Sequence, residues 1–243
     1  MSQVEGRNPV YETLKRGGVK RILISDGSRN EERIRDILAL SKQKKVPIEF
    51  LPRDRLDKMS EGRRHQGVIA IIDAPGYISL RNILERAAKD ACIIILDGVQ
   101  DPQNLGAILR TADATDVEAV LIPKREGVGL TPTVQRVSMG GAANVPVARE
   151  NLYPAIKMLK DEGFKLIAID PAGSVVYWDA DLTGALALVF GGEGVGISST
   201  LFEKCDEVVK IPMFGQVSNL NVGASVAIVM YERLRQSKTK KIT

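Results

Sequence analysis

Three short polar stretches each follow an apolar run of strand length, and each mixes glycine with side chains able to hydrogen-bond a ligand. They are "QDPQNLGAILR" after "CIIILDGV", "GGEGVG" after "ALALVF", and "MFGQVSNLN" after "EVVKIP". The residues in them that could do chemistry are Asn104 and Arg110, then Glu193, then Ser218 and Asn221. Near-continuous apolar runs are expected of parallel strands covered on both faces. Ligands of open parallel sheets bind beyond the carboxyl ends of the strands, so the three stretches should open on one edge and converge. The third is the most overloaded: in "IPMFGQVSNLNVGASVAI", Gln216, Ser218, Asn219 and Asn221 surround a lone Leu220. A strand-to-helix connection needs a turn and a cap, not four polar side chains.

Taken singly, each stretch has a structural reading. "GGEGVG" is a glycine-rich turn, although Glu193 adds a charge that the turn does not need. Asn104 suits a first helical turn, and Arg110 suits a solvated helix face. Six residues apart, these two project in different directions from one helix. The glycines match neither G-x-G-x-x-G nor G-x-x-x-x-G-K-[ST], which disfavours the dinucleotide and nucleotide-phosphate motifs and with them a dinucleotide-dependent oxidoreductase. One histidine, His65, leaves no His-rich metal site and makes Ser-His-Asp chemistry improbable, so no metal is expected. His65 is better read as folding the turn before a strand, and Cys92 as a core residue. Tyr177 and Trp178 could stack on a base.

The elements that must position these residues fall into two series. The front one alternates short helices and strands: helix "NPVYETLKRG" with Asn8 as N-cap, Pro9 at N1 and Gly17 as stop, then strand "KRILISDG". Helix "NEERIRDILALSKQKKV" follows, with Ile34, Ile37, Leu38 and Ser41 on one face, then "PIEFLP", a short helical "RDRLDKMS" and "GVIAIID". "APGYIS", with Pro75 and Gly76, marks a boundary. The second series alternates strands "CIIILDGV", "EAVLIP", "NVPVA", "FKLIAID", "ALALVFG" and "EVVKIP" with helices, among them "PQNLGAILRTADATD", "TPTVQRVSMGGA" and "VGASVAIVMYERLRQ". Such alternation predicts a parallel sheet with helices on both faces.

Charge separates the two series. Residues 1–73 hold 16 Lys/Arg against 11 Asp/Glu, a net of +5, while the remainder nets −1 within the +4 of the whole chain. A basic front suggests an acidic polymer as partner. No apolar run is long enough to span a bilayer, the start has no signal-peptide pattern, and two isolated cysteines suit a reducing cytoplasm.

Three motifs, in order, resemble the SpoU (TrmH-type) family of RNA ribose 2′-O-methyltransferases: "LDGVQDPQNLGAILRTADATDVEAVLIP", "LVFGGEGVGIS" and "IPMFGQVSNLNVGASVAIVMYE". The front segment, "VEGRNPVYETLKRG" through "HQGVIAIID", is similar to the L30e-like RNA-binding domain of many members. The resemblance implies an α/β SPOUT domain over residues 91–243 with a parallel sheet and a deep trefoil knot. It implies an RNA substrate-binding domain over residues 1–73 and, between them, a linker with a short helix over residues 74–90. It implies a homodimer and S-adenosyl-L-methionine as cofactor, held largely by main-chain groups around Gly191, Ile211 and Leu220. The family's functional polar positions fall on Asn104, Arg110, Glu193 and Asn221. The family serine before the leucine corresponds to Ser218 or Asn219. Asn221 is then expected to cap the last helix and face the transfer site. Members most similar along the whole chain methylate a guanosine of 23S rRNA; tRNA and a catalytically silent RNA-binding role are the alternatives. A guanidinium is almost never deprotonated, so Arg110 is expected to orient phosphate and stabilise a developing alkoxide rather than to act as base.

Overall fold

The computed structural model describes residues 2–29, 31–60, 65–72 and 76–240. The chain forms two compact units, Met1–Gly76 and Tyr77–Thr243. The expected boundary at residues 73 and 74, with Pro75 as breaker, lies outside the described residues, as do the last three residues of the basic tail.

In the first unit the order is β1 (Ser2–Glu5), α1 (Arg7–Arg16), β2 (Val19–Ser25), α2 (Glu32–Lys44), β3 (Ile48–Leu51), α3 (Arg53–Met59) and β4 (Val68–Ile72). The strands form one mixed sheet in the order β1-β4-β2-β3, in which only β2 and β3 run parallel. Val10 and Leu14 of α1 and Ile34 and Ile37 of α2 pack on one face of the sheet, and Leu56 of α3 packs on the other. One strand goes unread in the sequence and one expectation fails here. β1 was not foreseen, because "SQVE" is too short and polar to show a period of two. Asn8 is not the N-cap: the helix starts at Arg7 behind Gly6, and Asn8 accepts a hydrogen bond from Arg33 instead. Pro9 still sits in the first turn, where its missing N–H costs nothing. Gly17 closes the helix as expected.

The second unit starts with the short α4 (Leu80–Leu84) and continues β5 (Cys92–Asp97), α5 (Pro102–Ala114), β6 (Ala119–Pro123), α6 (Pro132–Val137), α7 (Gly141–Asn144) and β7 (Val147–Glu150). Then come α8 (Leu152–Asp161), β8 (Lys165–Ile169), β9 (Val175–Val176), β10 (Leu186–Gly191), α9 (Ser199–Phe202), β11 (Glu207–Lys210) and α10 (Val222–Lys240). The seven strands form one parallel sheet in the order β7-β6-β5-β10-β8-β11-β9. Alternate strand residues feed two cores. Ile94, Leu96, Leu188 and Phe190 face α5 and α10; Ile93, Ile95, Ala187 and Val189 face α8 and α4. Burial on both faces explains the near-continuous apolar runs.

Two details depart from expectation. β9, two residues long, is too short to read from sequence. "TPTVQRVSMGGA" is two helices rather than one, broken at Met139 (φ 51°) and Gly140 (φ 108°). Gly141 follows the break because a Cβ there would lie 2.4 Å from the Leu109 carbonyl oxygen, so α7 rests directly on the α5 backbone.

Candidate active site

β5 and β10 are central neighbours, and the chain leaves the sheet in opposite directions around them, which creates the crevice expected at a switch in strand order. From the carboxyl end of β5 the chain turns at Gly98 (φ 78°) and starts α5 behind Asp101, whose carboxylate accepts from the Gln103 N–H at 2.8 Å. This cap puts Asn104 in the first turn of α5, with only 7% of its surface exposed. Glu193 stands in the loop after β10, and Asn221 stands immediately before α10.

These three side chains meet. Asn104 Nδ2 donates to Glu193 Oε1 at 2.7 Å, and Asn221 Nδ2 donates to Asn104 Oδ1 at 2.8 Å and to the same Glu193 oxygen at 3.0 Å. Asn221 Oδ1 accepts from the N–H groups of Gly223 and Ala224, at 2.9 and 3.3 Å, and so caps α10. The cap fixes the direction of the whole set. With its oxygen committed to the helix, Asn221 can only offer N–H to its neighbours. That leaves the Asn104 oxygen to accept, and the Asn104 amide to donate to Glu193. Glu193 Oε2 has no hydrogen bond among the described residues and stays exposed.

The loop carrying Glu193 is built on glycine. A Cβ at Gly191 would lie 2.2 Å from the Gly196 carbonyl carbon, and one at Gly192 would lie 2.3 Å from the Gly98 oxygen. The Gly196 N–H donates to the Gly192 carbonyl at 3.1 Å and closes the loop. Asp97, at the end of β5, was not singled out by sequence reasoning. Its carbonyl accepts from the Gly192 N–H at 2.6 Å, and its carboxylate accepts from the Ser198 N–H at 2.7 Å. The available signal was a carboxylate ending an otherwise apolar run, in "IIILDG".

Other expected site residues make no hydrogen bond to these three side chains among the described residues. Arg110 lies on α5 about 9 Å further along the axis and roughly 240° round from Asn104. It is exposed, and its side chain has no hydrogen bond or ion pair among the described residues. Ser218 and Asn219 are exposed and likewise unbonded. Gly191 ends β10, Ile211 packs half-buried against the core just after β11, and Leu220 is 37% exposed. From Met213 to Leu220 no main-chain group is hydrogen-bonded among the described residues.

The rejected candidates are accounted for. His65 is buried, its Nε2 lies 2.7 Å from an Asp57 carboxylate oxygen and its Nδ1 accepts from the Gly67 N–H, so it folds the turn before β4. Burial pushes the Cys92 thiol up to about 11, against the opposing charge of Arg233. Tyr177 and Trp178 meet edge to face at 4.9 Å, with Trp178 45% exposed. Among the described residues no group of three or more His, Cys, Asp or Glu is placed to hold a metal ion. A cavity of about 420 Å³ opens beside Arg233 and Glu118, at the amino ends of the strands, away from this chemistry.

Comparison with known proteins adds the family. Residues 91–231 match the SpoU rRNA methylase family, and residues 3–78 match the substrate-binding domain of RNA 2′-O-ribose methyltransferases. A Staphylococcus epidermidis protein named for the TrmH family of tRNA/rRNA methyltransferases is 40% identical over 238 residues, covering 96% of this chain and 95% of its own. Two solved structures share the fold over both units. A SpoU methyltransferase of Streptomyces viridochromogenes in complex with AdoMet has TM-score 0.83 at 24% identity, covering 98% of this chain and 90% of its own. An RNA 2′-O-ribose methyltransferase has TM-score 0.76 at 28% identity, covering 97% and 88%. The chain belongs to the SpoU family of RNA 2′-O-ribose methyltransferases.

Proposed function

We propose that this enzyme methylates the ribose 2′-oxygen of a guanosine in 23S rRNA with S-adenosyl-L-methionine, as a cytoplasmic homodimer with a deep trefoil knot in its second unit. The observation that carries the reading is the meeting of Asn104, Glu193 and Asn221 at one sheet edge, each contributed by a different family motif. The cofactor fits the residues present. Beside that cluster, the loop after β11 offers free main-chain groups around the partly exposed Leu220, and Gly191 lets the loop after β10 fold tightly. Both suit a ligand with a polar amino-acid end and a planar base.

When bound, S-adenosyl-L-methionine supplies an electrophilic methyl group. The chain supplies position and charge. Glu193, oriented through Oε1 by two amides, has Oε2 left to accept a hydrogen bond from a ribose hydroxyl. Arg110, whose side chain has no partner among the described residues, is available to hold the adjoining phosphate and to stabilise charge developing on the attacking oxygen. Alignment of two reactants can by itself remove about 7–11 kcal/mol of a barrier. Ser218 and Asn219 remain available to substrate or cofactor.

Residues 1–73 are read as the RNA recruiter, residues 74–90 as the link and residues 91–243 as the catalytic domain. The +5 charge of the front supports this. So does its match to a substrate-binding domain. Ribosomal RNA is favoured because the matching family is described as an rRNA methylase family. The homodimer is supported by exposed apolar side chains on the loops of this edge, Phe214 at 92%, Val195 at 89% and Val217 at 65%. The test incubates protein with methyl-labelled cofactor and with 23S rRNA or tRNA, then digests the product in alkali. Label in an alkali-resistant dinucleotide from 23S rRNA is expected. Label on a base, or only in tRNA, overturns the substrate assignment, and a monomeric mass in light scattering overturns the dimer.

A further inference from the structure

We propose that Asp97 is the positioning residue for Glu193, clamping the catalytic loop at both of its stems to the end of β5. The inference rests on the reading of Glu193 as part of the transfer site. Asp97 is paired in register with Gly191, the last residue of β10. Its two acceptors then reach past that pair in different directions. The carbonyl takes the Gly192 N–H, at the start of the loop, and the carboxylate takes the Ser198 N–H, at its far end. The segment between these anchors includes Glu193, Gly194 (φ 86°) and the fully displayed Val195. Within it the Gly196-to-Gly192 bond is the one main-chain tie among the described residues.

A loop so short of internal bonds needs an outside anchor to hold Glu193 near Asn104 and Asn221. The carbonyl bond can survive any substitution at position 97, since it belongs to the backbone. The carboxylate bond cannot, and it is the side-chain hydrogen bond that ties the returning stem to the end of β5. Asp97 also directly precedes the turn at Gly98 that leads into α5 and Asn104. One residue thus ties together the segments that carry Asn104 and Glu193. What it supplies to Ser198 is a well-placed oxygen acceptor, which asparagine can also supply.

Asp97→Ala is expected to lower single-turnover methylation by about 10–100-fold, the scale of a small misplacement near the chemistry. Asp97→Asn should stay within about threefold of the parent, because it retains the acceptor. In a Glu193→Ala background, Asp97→Ala should add less than about threefold, since residues acting through one another are not additive. Hydrogen exchange supplies a readout that does not depend on turnover: the Ser198 amide should exchange faster in Asp97→Ala and at the parent rate in Asp97→Asn, while the Gly192 amide, bonded to the backbone carbonyl, keeps the parent rate in both. The proposal is overturned by full activity of folded Asp97→Ala, by an equal loss in both backgrounds, or by equal damage from the two substitutions. Unchanged Ser198 exchange in Asp97→Ala overturns it too. If the parent protein methylates no RNA ribose, the proposed function fails, and the exchange data still decide whether the clamp exists.

Discussion

Asn221 does two jobs with one side chain, and substitutions can separate them. Its oxygen caps α10, while its nitrogen holds Asn104 and Glu193. Asn221→Ser keeps a capping oxygen but has no second group to reach Glu193; Asn221→Ala keeps neither. Both should lose turnover to the same extent, about 10²-fold. Asn221→Ala should be the less stable of the two by about 0.5–2 kcal/mol, the usual worth of an N-cap, as read from urea unfolding. Arg110→Ala should lose about 10²–10³ in turnover, with S-adenosyl-L-methionine affinity in calorimetry unchanged, because Arg110 lies outside the loops proposed to hold the cofactor. The two thiols give a pH prediction. Burial raises Cys92 to about 11, and burial followed by the Asp206 charge raises Cys205 to about 11, from an ordinary value of 9.0. A folded value above the unfolded one means stability is fully present below pH 9 and is lost as pH rises through about 11. Chemical melts between pH 8 and 11 should show the midpoint falling only in the upper part of that range. At this scale the sequence marked Asn104, Glu193 and Asn221 as candidates. It could not show that they touch, because pairings across 89 and 117 residues depend on strand order. Asp97 stayed hidden because its work is done toward backbone amides, which no side-chain pattern displays.

At the scale of elements, the convergence of three loops was readable because each followed a strand that must be parallel to its neighbours. The alternation of strand and helix forces every such loop to one edge. The break between α6 and α7 had a signal in the Gly140-Gly141 pair, but the apolar spacing runs on past it, and the close approach to α5 is what demands the turn there. That approach makes Gly141 a sensitive position. A methyl group would lie 2.4 Å from the Leu109 oxygen and 3.0 Å from the Arg110 nitrogen, so α7 or α5 must shift. Gly141→Ala should therefore destabilise the protein by about 1–3 kcal/mol. It should also lower turnover by disturbing Arg110, with no comparable change in cofactor affinity. Equal stability to the parent in urea would mean that α7 can rise off α5 without cost.

On the scale of the whole chain, two units with separate cores allow separate duties to be tested. A truncated protein of residues 74–243 retains the seven-stranded sheet and both of its cores. It should keep calorimetric binding of S-adenosyl-L-methionine and bind RNA more weakly. Binding to phosphates releases counterions, so the salt dependence of RNA affinity should become shallower by roughly 0.7–0.9 for each phosphate that the shortened protein no longer neutralises. Equal affinity and slope in the two forms would remove the front unit from RNA recruitment. The difference in charge between the front and the remainder was legible in the sequence, whereas the pairing of β9 with β11 was not, for want of length. The spacing of Asn104, Glu193 and Asn221 along the chain has one more consequence, for the order of events during synthesis. Asn221 follows every strand, and without it the other two lack both their shared donor and the cap of α10. A nascent chain can thus pair β5 with β10 and expose a basic front unit while still lacking a complete transfer site. An RNA held before Asn221 has emerged would therefore meet a chain that still lacks the donor shared by Asn104 and Glu193.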